Sequence, residues 1–486
     1  MYVDPVTGQQ AREVRKVREG LYLVSYGTEL ALVGTDLSPL GPLGVVSDAK
    51  LFVLDAQGLT LAGGSEARLA KGFEAPVPTA ALEQLLRSSV RAAQRVLPAE
   101  KPAPPMDFAI RQGSSFFLAP PLTAHAQAPA GLVYGDADGR VYRFGANRSQ
   151  LIGQIPSKRP IQAVYTADVD QDGSHEVLAG DDTDLFCVFR ADGSLAWSQK
   201  LSGYLGKGNA TFITSAEFDG DSKPTVLVAT AGWKLYAFRP DGAVRWEAFT
   251  KYHPETKVAY RKPPSGKPYI AVGTAYMTPL NILSPETGRL LWHTWEEMGS
   301  EFIAKTDYCG SSLTDMIFLD VDKDGRDDIV FGTKSNLVSA LDAASGVTKW
   351  QVTLGDEITA LKELLDHRTG ETRILASTDA GELVLLDRLG HILRSLDFGS
   401  GITGVEVIRH EDHRRNDLVL TTRDGSVIVT DDSFVMRARK HIGKRELVGL
   451  VLSGAASGEQ VIYALSGGEI HTLFYRPHFL RKSRDY

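Results

Sequence analysis

Short apolar runs of strand length recur along this chain at a nearly constant interval. They read GLVYG from Gly131, EVLAG from Glu176, TVLVA from Thr225, YIAVG from Tyr269, DIVFG from Asp328, RILAS from Arg373, DLVLT from Asp417 and QVIYA from Gln460. Their starts lie 45, 49, 44, 59, 45, 44 and 43 residues apart. Each is followed by turn residues and a second apolar or alternating run: RVYRF, LFCVF, KLYAF, LNIL, LVSAL, LVLL, VIVT and IHTLF. Their length, their β-branched content and the turn residues around them make both runs strands.

A turn and often a tryptophan close the unit, as in RADGSLAW ending at Trp197, RPDGAVRW at Trp246, SPETGRLLW at Trp292 and DAASGVTKW at Trp350. With the run that precedes each first strand, such as IQAVYTADV or TDMIFLDV, every unit holds four strands. Four strands every 43–59 residues match a β-propeller blade. The chain is therefore expected to be all-β, an eight-bladed propeller over residues 106–475. The count becomes seven if residues 131–155 and 448–475 share a blade, because the first unit lacks a clear inner strand and the last a clear outer one. Eight in-phase copies argue against a sandwich of unrelated strands.

Residues 1–100 read as a small β-plus-helix segment. Two β-rich stretches start at Gly20 and Lys50, and a helix is predicted over 79–97, with Leu82, Leu85, Leu86, Val90, Ala93 and Leu97 on one face. PAEKPAPPM from Pro98 is a stiff linker running to about residue 105, and residues 476–486 form a basic tail.

Composition narrows the function classes. At 486 residues the chain is 43% hydrophobic and 23% charged, a globular balance. Its net charge of −7 argues against nucleic acid as a partner, which needs a basic footprint. No apolar run is long enough for membrane insertion. The 2 cysteines, Cys187 and Cys309, stand outside any CxxC pattern, which disfavours a zinc finger, covalent haem or a disulfide framework. Extracellular or periplasmic placement is expected, with a signal absent from this chain; the cytoplasm stays open as an alternative.

The most specific chemical motif is Asp168-x-Asp170-x-Asp172-Gly173-x-x-Glu176, repeated as Asp320-x-Asp322-x-Asp324-Gly325-x-x-Asp328. Alternate carboxylates turn to one side of a tight loop, and the carbonyl of Ser174 or Arg326 can add an oxygen. Such an all-oxygen set suits a hard cation, so calcium is the expected cofactor, in a structural role. A weaker copy, Glu217-x-Asp219-x-Asp221, lacks the glycine, and later units have lost the pattern.

These repeats resemble two propeller families. The unit ends NILSPETGRLLW and ALDAASGVTKW are similar to the tryptophan-docking repeat of quinoprotein-type propellers, which implies that each indole wedges between adjacent blades. The unit starts DVDQDGSHEVLAG and DVDKDGRDDIVFG resemble the calcium-binding repeats of integrin-type and secreted bacterial propellers. The architecture is also similar to that of propeller-type polysaccharide lyases.

Units two to five carry long polar and aromatic connectors on one face. There Tyr204, Tyr276, Trp295 and Glu296 are candidate saccharide-binding residues. A lyase needs a base for the proton α to a uronate carboxylate and a group that neutralises that carboxylate. His253 or His293, with Tyr252 or Tyr308, are candidates for the first role, and Lys207 or Lys305 for the second. The favoured reading is a carbohydrate-binding propeller, partnered by a poly- or oligosaccharide, with lyase activity on an acidic polysaccharide as its catalytic form. The alternative is a non-catalytic binding or scaffolding module joined to other domains of a larger chain. A quinoprotein dehydrogenase ranks last, since no acid, amide and stacking set for a quinone is identifiable.

Overall fold

The computed structural model describes residues 110–476 apart from 130, 219, 221–222, 251–254, 276–279, 295–311, 411–414, 444 and 455–458, together with the backbone of strands between residues 13 and 61. Among the described residues the propeller is built of eight four-stranded antiparallel sheets. There is no α-helix among them, only the 3-10 turn Tyr204–Gly206. The ring is eight-bladed, not seven.

Blades 2 to 7 each take four consecutive strands, with inner strands Ile161–Ala167, Ala210–Ala216, Glu255–Arg261, Leu313–Leu319, Ile358–Asp366 and Ile402–His410. Blade 1 has an inner strand of its own, Leu122–Ala128, which the sequence pattern did not reveal. Blade 8 has three strands from the end of the chain, Gly449–Gly454, Gln460–Ser466 and Glu469–Tyr475, and its outer strand is Ile110–Phe117. Glu469 pairs with Phe117 and Tyr475 with Ile110, so the ring is closed by backbone hydrogen bonds between the two ends of the propeller.

The second strands are continuous apolar runs because neighbouring blades cover both their faces. Glu176–Asp181, Thr225–Thr230, Tyr269–Thr274 and Asp328–Thr333 are buried at every position. The core is accordingly a ring of clusters between blades. Val330, Trp350, Ile358 and Ile374 join blades 5 and 6, while Leu132, Phe144, Tyr463 and Ile470 join blade 1 to blade 8.

The tryptophans dock as the repeat implied. The indole N–H of Trp197 donates to Pro240 O at 2.8 Å, that of Trp246 to Pro285 O at 2.8 Å, that of Trp292 to Ala343 O at 3.1 Å and that of Trp350 to Arg388 O at 2.8 Å. Every acceptor lies in the turn between third and outer strands of the next blade. These contacts make the indoles packing elements between blades rather than sugar platforms.

Strands Glu13–Arg18, Leu21–Tyr26, Glu29–Val33 and Pro39–Val45 form a separate antiparallel sheet, and Phe52–Asp55 pairs with Gly58–Leu61. The helix predicted over 79–97 lies outside the described residues.

Candidate functional site

The two acidic loops occupy the same place in blades 2 and 5, between inner and second strands. Asp168 accepts the N–H groups of Asp172 (3.1 Å) and Gly173 (3.0 Å), and Asp320 those of Asp324 (3.0 Å) and Gly325 (2.9 Å). Gln171 and Lys323 take matching left-handed conformations with φ of 60° and 61°. The repeated sequence thus folds into the same turn twice.

In each loop three carboxylates converge. One oxygen each of Asp168, Asp170 and Glu176 lie within 4.8 Å of one another, as do those of Asp320, Asp322 and Asp328. Asp172 and Asp324 do not join these groups: Asp172 accepts Ser174 N–H at 2.7 Å, and Asp324 accepts Arg326 N–H at 2.9 Å and its guanidinium at 2.6 Å. Arg326 holds Asp324 below the usual carboxylate range. Burial pushes Glu176 upward and Asp328 up to about 6, against the pull of backbone hydrogen bonds from Val169 and Val321.

Their counter-charges differ. In blade 5 the Lys349 ammonium donates to Asp322 and stands 3.6 Å from both Asp324 Oδ2 and Asp328 Oδ1. Among the described residues no lysine, arginine or histidine nitrogen comes within ion-pair distance of Asp168, Asp170, Asp172 or Glu176. Glu176 is 2% exposed, and its carboxylate accepts one hydrogen bond, from Val169 N–H to Oε2 at 2.9 Å. The blade-2 loop therefore presents converging, uncompensated oxygens, which fit a hard divalent cation. In the third unit, Asp219 and Asp221 lie outside the described residues.

The opposite face carries the connectors between blades. Here Tyr204 stacks on Trp233 with ring centroids 4.1 Å apart and 14° between planes. Trp233, half-buried, takes a left-handed turn conformation with φ of 64° just ahead of Lys234. The Lys234 ammonium lies 5.1 Å from the Phe249 ring and 2.9 Å from Glu247. Leu205, Phe249 and Tyr204 are 77%, 57% and 48% exposed. These aromatic and aliphatic groups flank one turn, an arrangement suited to apolar contact.

Of the expected ligand residues, Tyr204 and the exposed Lys207 share the connector between blades 2 and 3, and His293 ends the outer strand of blade 4 opposite Asn281. Tyr252, His253, Tyr276, Trp295, Glu296, Lys305 and Tyr308 lie outside the described residues, so no catalytic set is assembled among the described ones. Sequence reasoning missed Trp233 and Phe249, which lie at a blade turn and a strand end and carry no motif, and Leu205, an aliphatic residue in a connector read only for its polar and aromatic groups.

An eight-bladed propeller with quinoprotein-type tryptophan docking and acidic loops is the class these features define. A family model described as outer membrane protein assembly factor BamB matches residues 137–301. No curated protein matches the chain. Among solved structures, BamB from Moraxella catarrhalis is similar at 18% identity and a TM-score of 0.52, over 75% of this chain and 99% of that one. Sqt1 of Saccharomyces cerevisiae aligns at 11% identity with a TM-score of 0.59, over 77% of this chain and 100% of its own. The computationally designed Ika8 protein aligns at 17% identity and a TM-score of 0.52, over 74% and 97%. At these identities the likeness is one of fold. No helix among the described residues is long and apolar enough to cross a membrane.

Proposed function

We propose that this chain is a non-catalytic, extracytoplasmic binding propeller that engages a protein partner through the connector face over blades 2 to 4. The observation that carries the reading is the patch of Leu205, Phe249 and Tyr204 around Trp233, since large apolar side chains 77%, 57% and 48% exposed are costly to leave in water. Similarity to an outer membrane assembly factor supports a scaffolding role outside the cytoplasm. A photo-crosslinking residue placed at 205 should trap a discrete protein in the cells that make this chain. The same residue at 389, which is exposed on the opposite face, should not. Equal trapping at both positions, or none at 205, overturns the reading.

Saccharide binding is the second reading, favoured by the half-exposed Tyr204 ring backed by Trp233. Affinity electrophoresis in gels of acidic polysaccharide, read alongside ultraviolet absorbance of the unsaturated product, separates binding from elimination by His253, His293, Tyr252, Tyr308, Lys207 or Lys305. Retardation lost in Tyr204→Ala would favour this reading over a protein partner.

Calcium is proposed as a structural ion of the acidic loops, with the blade-2 loop the better fit because no basic side chain among the described residues neutralises it. Chelation should lower the melting temperature and added calcium restore it, because an ion that binds only the folded state stabilises it by mass action. Unchanged melting in excess chelator overturns this proposal.

A further inference from the structure

We infer that Lys349 is the built-in counter-ion of the blade-5 loop, so that this loop closes without metal and, of the two described acidic loops, only that of blade 2 holds a divalent cation. The inference rests on the proposal that the blade-2 loop binds a cation.

The outer strands of several blades share one irregularity. In blade 5 Trp350 pairs with Ala340 and Thr348 with Leu341, which leaves Lys349 as an extra residue on a bulge. A bulge re-aims its side chain out of the regular alternation. Lys349, only 17% exposed, thereby reaches Asp322, Asp324 and Asp328 together. Asp328 is fully buried, and its Oδ1 accepts no hydrogen bond, so the ammonium 3.6 Å away is the charge that compensates it. Left uncompensated, the buried carboxylate would bear the full desolvation penalty of a buried ion.

Other blades place a base at the same bulge. In blade 3 it is Arg245, which donates to Thr225 Oγ1 at 3.4 Å, the residue equivalent to Asp328. In blade 7 it is Arg437, which donates to Asp431 at 2.6 Å, while the equivalent acid, Asp417, takes Arg415 at 2.7 Å and His410 at 2.9 Å. Blade 2 departs from them, because its bulge residue between Leu195 and Trp197 is Ala196, which carries no charge. Blades 4 and 6 also have an uncharged bulge residue, Leu291 and Leu393, but no acid at this second-strand position; of the blades with one there, Glu176, Asp328 or Asp417, blade 2 is the one whose bulge supplies no base.

Calorimetric titration of the chelator-stripped full chain with calcium chloride tests this, with folding followed by circular dichroism. The wild type should take up a single ion. Asp170→Asn should abolish uptake, Asp322→Asn should leave it unchanged, and Lys349→Met should add a second ion. If Asp170→Asn does not fold, Asp168→Asn reads the same loop. Two ions in the wild type, or uptake lost in Asp322→Asn and kept in Asp170→Asn, overturns the inference while leaving cation binding standing. No uptake by any folded form overturns the cation proposal, and the inference with it.

Discussion

The indole of Trp197 lies against Gly242 of the next blade so closely that a methyl group on the glycine would meet the ring at 2.8 Å. The relationship repeats: a Cβ at Gly288 would lie 2.6 Å from Trp246, one at Gly346 3.0 Å from Trp292 and one at Gly390 2.6 Å from Trp350. All four glycines also have positive φ, between 69° and 86°. Turn geometry and blade packing thus require the same residue.

Gly242→Ala should therefore cost more than a positive-φ glycine alone would. Gly370 has φ of 71° with nothing within 4 Å of a Cβ, so Gly370→Ala isolates the backbone cost, about 1 kcal/mol. Gly242→Ala should add about 1–3 kcal/mol of overpacking. Denaturant midpoints measure both, and equal losses would mean that the indole shifts aside freely.

The closing strand gives a second expectation. A chain beginning at residue 106 should melt as cooperatively as the whole propeller. One beginning at residue 119 lacks Ile110–Phe117 and exposes the edge of Glu469–Tyr475. That form should lose cooperative melting and aggregate, because an unpaired edge strand templates association. Identical thermal transitions for both forms would contradict the assigned closure.

Asp315 links three blades. Its carboxylate accepts Lys257 of blade 4 and, at 2.9 Å, the Leu361 N–H of blade 6. Asp315→Ala should cost about 3 kcal/mol by leaving the buried amide and the ammonium unpaired. Lys257→Met should cost about 1 kcal/mol, since Lys257 is 30% exposed and water screens its charge. Chemical denaturation of the two variants compares them, and equal losses would assign the contact to the ammonium rather than the amide.

Acid should weaken blade 7 in a defined direction. Burial alone would raise the Asp417 carboxyl, but hydrogen bonds from His410 and Tyr475 and the charge of Arg415 outweigh it and hold it low. A depressed carboxylate stabilises the fold above its unfolded pKa, about 3.9, and that stabilisation fades as pH falls through the lower folded value. Asp417→Asn should lower the melting temperature at neutral pH, with the gap to wild type narrowing below about pH 4. A gap independent of pH would show that the charge contributes nothing.

The repeat was legible in the sequence because second strands such as Asp328–Thr333 are buried on both faces, which demands an unbroken apolar run in every blade. The D-x-D-x-D-G turns were legible because each satisfies a local geometry with residues close in sequence, and the docking tryptophans because they recur at the same phase of the repeat, although each indole meets the next blade. The outer strand Ile110–Phe117 was not, because it is half solvated and its pairing with Glu469–Tyr475 exists only once the ring closes. Lys349 illustrates the same limit. As a lone lysine before a tryptophan it carries no signal, and its role follows from a bulge that brings it to acids some twenty residues away. Sequence alone determined the blades and their turns, whose forces act over a few residues. Only the tertiary structure decided how the ring closes and which acidic loop already holds its counter-charge, because both depend on contacts between segments that the chain order keeps apart.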